Sequence, residues 1–279
     1  MKLLFLGGKR FYGNKLLNEL IKLKKFNIYV LHRGKKPIIE KKNKVIFIKC
    51  ERNNEKEIFS KLNKKKFDIV YDNNCYSLEN CKKIIKNLKY KNYIYIFTST
   101  VMTLIYNDVK KVYFPKDSIL KLSSKIEKYF KQKSDIENYL MSSNIKYIIF
   151  RMHNLIGEND HSEKTNFLFN LSAKDIRKYN IKMNDKIQFA FIKDAVQIIL
   201  KKILKINFKK FQNKCLTIAN KPFHLNEIIT QISTITKKKY PIKKNDKNFK
   251  DFPFLLNYIV KKSEIKNQKH SSIKKGFNF

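Results

Sequence analysis

Met1-Lys-Leu-Leu-Phe-Leu-Gly7-Gly8-Lys-Arg10-Phe11-Tyr12-Gly13-Asn14 is the stretch on which the reading of this chain turns. The apolar run through Leu6 reads as a short strand. It ends in two glycines, and an amphipathic helix opens behind them with Gly13 near its start. Strand, glycine turn and helix together have the shape of a dinucleotide-binding βαβ start. Gly7 and Gly8 allow a tight turn that brings backbone N–H groups close to a pyrophosphate, and the helix N-terminus adds partial positive charge at the same place. Gly13 permits close packing of helix on strand. The spacing is GGxxxxG rather than GxGxxG, so an ordinary strand–turn–helix of any α/β protein remains the alternative.

The 279 residues suffice for one large domain or two small ones, and 43% hydrophobic content is that of a globular chain. No apolar run reaches the roughly 18 residues of a membrane span. The N-terminal apolar run stops in glycines without a small-residue cleavage site, so it does not read as a secretory signal. Cys50, Cys75, Cys81 and Cys215 have neither zinc-type spacing nor the density of a disulfide framework. A cytoplasmic setting is expected, with no metal and no membrane partner. The formal charge of +39 suggests a polyanion partner, but 57 of the 62 basic residues are lysine, spread over every segment. Arginine supplies most bidentate and stacked nucleic-acid contacts. The lysine excess therefore reads as compositional bias, with weak, non-specific nucleic-acid binding at low salt as its consequence.

Further along, Lys25–Lys35 reads as a second strand that ends in a basic turn. The acidic residue that would hold a ribose 2′-hydroxyl is missing there. His32, Arg33 and Lys35 could instead meet a 2′-phosphate, which favours NADP over NAD; a turn that is basic only because the chain is lysine-rich is the alternative. Lys44–Asn53 is a third strand with Glu51 at its end, where a carboxylate can accept from an adenine amino group. Phe67–Tyr76 is a fourth, carrying Asp72 and Asn73, and Ser77 with Asn80 can start the helix that runs through Leu88. Asn92–Thr100 is a fifth, tipped by Thr98, Ser99 and Thr100. Repeated βα alternation requires a parallel sheet with right-handed crossovers, and ligands of such sheets sit at the carboxyl ends of the strands. The glycines, the basic turn, Glu51, Asp72 and the hydroxyl triplet all fall there.

Ser118–Ser142 reads as a long helix containing Tyr129 and Lys133, one turn apart on one face. An ammonium beside a phenol lowers its pKa, so that the phenol can exchange a proton while hydride passes to or from nicotinamide. The pattern Tyr-x-x-x-Lys also begins at Tyr106, Tyr240 and Tyr258. Position selects Tyr129, because its helix follows the hydroxyl-tipped strand. Ile145–Met152 is a sixth strand. Behind it, Arg151 and Asn154 face a substrate region or make a structural salt bridge and a loop cap. Gln188–Ile192 leads into a helix that Asp194 is expected to cap; Leu216–Ala219 is a strand and Leu225–Ile235 a helix. Phe252–Val260 could pack, and His161, His224 and His270 are isolated.

These residues resemble the NAD-dependent epimerase/dehydratase family, the extended or atypical short-chain dehydrogenases. Gly7-Gly8-Lys-Arg10-Phe11-Tyr12-Gly13 is similar to its GGTRFIG loop, and His32-Arg33-Gly34 to its Asn-Arg-Gly turn. Cys50-Glu51-Arg52-Asn53 is similar to its Gly-Asp-Arg-Asn turn, Gln188–Asp194 to QFIHVKD, and Lys275–Phe279 to an LGF-x-P ending. The nearest subgroup includes chloroplast stem-loop-binding proteins. The resemblance implies a Rossmann-type doubly wound parallel sheet over residues 1–160 and a smaller substrate lobe over 161–279, with Gln188–Ile199 returning to the sheet. It implies an epimerase, dehydratase or reductase acting on a nucleotide-sugar or related carbonyl substrate, with NADP or NAD as cofactor, and a homodimer through the helices of Leu78–Leu88 and Tyr129. Tyr129 would be the acid/base, Lys133 its partner, and Ser99 or Thr100 the donor to the substrate oxygen. Gly7, Gly8, Arg10, Phe11, Tyr12, Gly13, His32, Arg33, Glu51, Arg52, Asp72 and Asn73 would hold the cofactor, and Arg151 and Asn154 the substrate. Two departures stand out. Arg10 replaces the middle glycine, and Arg151-Met-His-Asn-Leu-Ile-Gly157 replaces a proline-rich loop. An RNA-associated or non-catalytic dinucleotide-binding protein of the same fold is the alternative.

Overall fold

The computed structural model describes residues 1–34, 45–108, 110, 112–113, 124–160, 165, 168, 186–236, 259–260 and 272. Expectations placed on Lys35, Ser118–Ser123, His161, Tyr240, 252–258, His270 and Lys275–Phe279 lie outside them. In chain order the elements begin β1 (Lys2–Leu6), α1 (Phe11–Lys22), β2 (Asn27–His32), β3 (Val45–Lys49), α2 (Glu55–Leu62), β4 (Ile69–Asp72) and α3 (Leu78–Asn87). Next come β5 (Ile94–Thr100), a 3-10 turn at Val101–Thr103, α4 (Leu104–Asn107), β6 (Val112–Tyr113), α5 (Ser124–Ser142), β7 (Lys146–Met152) and β8 (Leu155–Ile156). The rest are β9 (Lys186–Ile187), β10 (Ala190–Phe191), α6 (Ile192–Leu204), β11 (Lys214–Ile218), β12 (Phe223–His224), α7 (Leu225–Thr236) and β13 (Ile259–Val260).

Seven strands form one sheet in the order β11-β7-β5-β4-β1-β2-β3. The pairs β1–β2, β1–β4, β2–β3 and β4–β5 run parallel, with Leu6 opposite Leu31 and Asp72. The order reverses beside β1, as in a Rossmann-type doubly wound fold. Leu3, Leu4 and Phe5 are fully buried, as the unbroken apolar run of a central parallel strand requires. Phe5 stacks on Tyr71 of β4 at 4.9 Å between ring centroids. Leu16, Leu17, Leu20 and Ile21 form the buried face of α1. Asn54 Oδ1 accepts from the Glu57 N–H at 3.2 Å to cap α2, and Ser77 Oγ accepts from the Asn80 N–H at 3.3 Å, so α3 starts where Ser77 was expected to start it.

The chain divides into two compact units. The first comprises Met1–Thr103, Lys128–Arg151 and Ile199–Leu216; the second comprises Leu104–Glu127, Met152–Ile198 and Thr217–Phe279. In the second unit β10 pairs parallel with β8, and β12 pairs antiparallel with β9. Asp194 sits inside the first turn of α6 rather than at its N-cap. Its Oδ2 accepts from Asn220 Nδ2 at 3.2 Å, while Asn220 Oδ1 accepts from the Phe191 N–H at 3.1 Å. The carboxylate is thus held by a side chain from after β11, a long-range partner that capping rules do not consider.

Candidate functional site

The turn after β1 has the backbone its glycines foretell. Gly7 (φ 99°) and Gly8 (φ 84°) lie in the left-handed region that side chains disfavour. Phe11, the first residue of α1, also has positive φ, at 53°. Gly13 has a different function: a Cβ there would come within 2.3 Å of Asn73 Nδ2. Close approach between α1 and the loop after β4 therefore requires glycine. Arg10 occupies the N-cap of α1 without a side-chain cap, and no acidic residue lies in the first turn. The positive end of the helix is left uncompensated, which suits a bound anion.

Beside this turn lies a cleft of about 590 Å3, lined by residues of the first unit that include Gly7, His32, Arg33, Glu51 and Arg52. These five were expected from the sequence. Lys9, Leu31, Asn53, Asn74, Tyr76 and Asn80 also line it and were missed. Gly8, Arg10, Phe11, Tyr12, Gly13, Asp72 and Asn73 are not on its wall. Asn73 packs on Gly13, whereas the next residue, Asn74, lies on the wall. Strand patterning fixes where β4 ends but not which loop side chain turns outward.

Asp72 is fully buried, and both of its carboxylate oxygens are occupied. Arg52 Nη1 donates to Oδ1 at 2.7 Å, and Arg52 Nη2 and Tyr95 Oη both donate to Oδ2. Burial alone would raise the Asp72 pKa; the Arg52 charge and the hydrogen bonds from Arg52 and Tyr95 outweigh it and hold it below the usual carboxylate range. Asp72 therefore fixes Arg52, which lines the cleft, while Asp72 itself is not on the cleft wall. Arg52 Nη1 also donates to Asn74 Oδ1 at 3.3 Å.

A second cluster joins β5 to α5. Lys133 is 2% exposed, and its Nζ donates to the Thr98 carbonyl at 2.7 Å. The same ammonium lies 4.7 Å from the Phe97 ring centroid, 5.2 Å from that of Tyr76 and 5.8 Å from that of Tyr129. Burial lowers the Lys133 pKa to about 8. The expected lowering of the Tyr129 phenol is not seen. Shielding from solvent, and then the Tyr76 phenol, raise it above its ordinary value. Lys133 sits over the Tyr129 ring and hydrogen-bonds the β5 backbone, so its charge does not offset that shielding.

The hydroxyls at the tip of β5 differ in their surroundings. Thr98 Oγ1 donates to Tyr71 Oη at 3.2 Å. Ser99 Oγ is buried with no hydrogen-bond partner among the described residues. Thr100 is half-buried, and its Oγ1 accepts from the Met102 N–H at 3.3 Å. Arg151 takes the structural alternative: its Nε and Nη2 donate to Glu137 Oε2 at 3.0 and 2.7 Å, within the first unit. Asn154 belongs to the second unit, is buried, and offers its carbonyl to the Ala190 N–H at 2.8 Å. Among the described residues no group of three or more His, Cys, Asp or Glu could hold a metal ion. No helix among them is long and apolar enough to cross a membrane.

No protein-family model matches the chain, and no curated protein matches it by sequence. Solved structures do match it by fold. The Bordetella bronchiseptica enzyme WbmH, in complex with NAD+, has a TM-score of 0.67 at 14% identity over 99% of this chain and 95% of its own. The UDP-Glc/GlcNAc 4-epimerase of Campylobacter jejuni has a TM-score of 0.65 at 15% identity, over 98% and 95%. The UDP-glucose 4-epimerase of Thermus thermophilus, in complex with NAD, has a TM-score of 0.62 at 12% identity, over 87% and 86%. At these identities the likeness establishes the Rossmann-type fold, and these neighbours lend no support to the stem-loop-binding subgroup.

Proposed function

We propose that this protein is a nicotinamide-dinucleotide-dependent epimerase, dehydratase or reductase acting on a nucleotide-sugar or related carbonyl substrate. The observation that carries the proposal is the anchoring of Lys133 on the Thr98 carbonyl at the carboxyl end of β5, with Tyr129 one helical turn before it. The structural neighbours include enzymes with NAD bound or with UDP-sugar 4-epimerase activity in their names, which supports the same reading. The residues present fit a dinucleotide. The glycine turn and the uncompensated N-terminus of α1 suit its pyrophosphate, and Glu51 suits an adenine amino group. Among the described residues Lys9, His32, Arg33 and the Asp72-paired Arg52 line the cleft, with Glu51 as the single carboxylate of the lining. That basic wall favours a 2′-phosphate, hence NADP, whereas WbmH and the Thermus thermophilus epimerase are in complex with NAD+ and NAD.

When bound, the nicotinamide would supply a hydride acceptor and donor. The chain's own residues handle the proton and the substrate oxygen. Tyr129, protonated at neutral pH, is the acid that gives a proton to a carbonyl oxygen as it is reduced; its phenolate is the base for the reverse direction. Lys133 places a positive charge against the Tyr129 ring. Thr100, the half-buried hydroxyl of the triplet, is the donor to the substrate oxygen, since Thr98 is engaged with Tyr71 and Ser99 is buried. Arg151 is assigned to holding Glu137.

Calorimetry of NADP(H) and NAD(H) binding at physiological salt tests the cofactor site. Saturable binding is expected, with NADP(H) weakened about tenfold by Arg33→Ala. Absence of binding to either cofactor would sink the proposal. Interconversion of UDP-sugars, followed by NMR, tests the chemistry. Tyr129→Phe is expected to slow it by about 10²–10⁴-fold while leaving dinucleotide binding intact.

A further inference from the structure

Tyr76 lies in the loop between β4 and α3, and no sequence pattern marked it. It is 60% exposed although its ring stands beside a buried cation. It lines the cleft together with Gly7, Arg33 and Asn74. It also stands 5.2 Å from Lys133 Nζ, and its ring is 6.0 Å from that of Tyr129. An ammonium has three donors, and among the described residues Lys133 makes one hydrogen bond, to the Thr98 carbonyl. Three rings, those of Phe97, Tyr76 and Tyr129, surround it as well, and ring faces attract cations; Asp72, Glu137, Cys75 and Arg52 act on its charge from farther off. Phe97 and Tyr129 belong to a strand and a helix. Tyr76 belongs to a loop, and it alone of the three rings is on the cleft wall.

We propose that Tyr76 is a dinucleotide-binding and positioning residue, its ring holding the Lys133 ammonium on one side and packing against the dinucleotide in the cleft on the other. The assignment rests on the function proposed above. It couples the two parts of the site through one side chain. A dinucleotide packed on Tyr76 restrains the ring, and the ring restrains the ammonium beneath Tyr129. Tyr76 thus acts on the reaction through Lys133, and the hydroxyl of Tyr76 has no part in it.

The chain contains no tryptophan, so Tyr76→Trp places a single indole at this wall. Titration with NADH and NADPH is expected to change its emission saturably, with the dissociation constant that calorimetry gives for the same variant. Tyr76→Ala is expected to weaken dinucleotide binding about tenfold, in line with loss of one stacking platform. It is also expected to lower kcat by a larger factor than it raises the KM of the sugar substrate. Tyr76→Phe should restore both. Thermal unfolding of all three variants should match that of the wild type, because the ring is mostly exposed. If the wild type binds dinucleotide and Tyr76→Ala binds equally well, or the indole emission stays unchanged at saturation, the assignment of Tyr76 is overturned and the proposed function stands. Failure of Tyr76→Phe to restore binding overturns the role of the ring face. If the wild type binds neither NADH nor NADPH, the proposed function and this assignment fall together.

Discussion

Lys133 holds its ammonium almost wholly out of solvent. Its pKa is lowered from 10.5 to about 8 by burial. Between these two values the unfolded chain holds a proton that the folded protein has released, so this site's contribution to stability rises with pH. Below pH 8 the buried ammonium costs about 3 kcal/mol, at 1.36 kcal/mol per pKa unit. Urea unfolding of the wild type and of Lys133→Met across this window tests it. The wild type should gain on the variant as pH rises from 8 toward 10.5, and a constant difference would show that the lysine is not strained by burial. Such a cost falls at a position that packing alone could fill with methionine, in keeping with the role proposed for this charge. The Gly13 contact belongs to the same scale. A methyl group at Gly13 would stand 2.3 Å from Asn73 Nδ2, so Gly13→Ala must displace that side chain and loosen the turn.

Between elements, two buried ion pairs among the described residues connect parts of the first unit. Arg52, just beyond β3, grips Asp72 at the end of β4, and Arg151 at the end of β7 grips Glu137 on α5. Thr103 Oγ1 adds a bond to Glu137 Oε1 at 2.8 Å, bringing the turn after β5 into the second cluster. α5 is thus fixed against β7 and the end of β5, which sets the depth at which Tyr129 and Lys133 stand. Removing one partner of a buried pair leaves an uncompensated charge and costs about 3–5 kcal/mol. Glu137→Ala is therefore expected to lower the unfolding free energy by that amount, measured in urea. Replacing both residues, Glu137→Leu with Arg151→Met, should recover much of it. If the single variant costs less than about 1 kcal/mol, as exposed pairs do, the pair does not anchor the helix.

For the whole molecule, the charge of +39 and the specific site make separable predictions. Lysines scattered over the surface attract any polyanion through counterion release, without reading sequence. Binding to a short duplex, measured by fluorescence anisotropy, is expected to fall by orders of magnitude between about 50 and 200 mM salt and to be the same for unrelated sequences. Dinucleotide binding in a cleft should weaken far less over that range. Sequence-selective binding that survives physiological salt would instead favour the RNA-associated alternative.

The central strand, the glycine turn and the placement of α3 were legible in the chain, because each depends on local chemistry or on a run of apolar residues. Met1–Leu6 is almost wholly apolar and so is central; Gly7 and Gly8 need positive φ; Ser77 caps α3. The sequence also placed Lys133 on the helix after the hydroxyl-tipped strand, and its Nζ does meet the Thr98 carbonyl of that strand. The chain could not reveal which polar side chains are consumed by one another. Asp72 and Arg151 have the residue types of ligands, yet Arg52 and Glu137 occupy them across 20 and 14 residues of sequence. The Tyr129 phenol is raised rather than lowered, because burial is a property of the packed structure and not of spacing along a helix. Tyr76 and Asn74 come to line the cleft through the path of one loop. Sequence thus determined the scaffold through local and periodic constraints, whereas tertiary packing decided the site, because hydrogen-bond partners and solvent exposure exist only once distant segments meet.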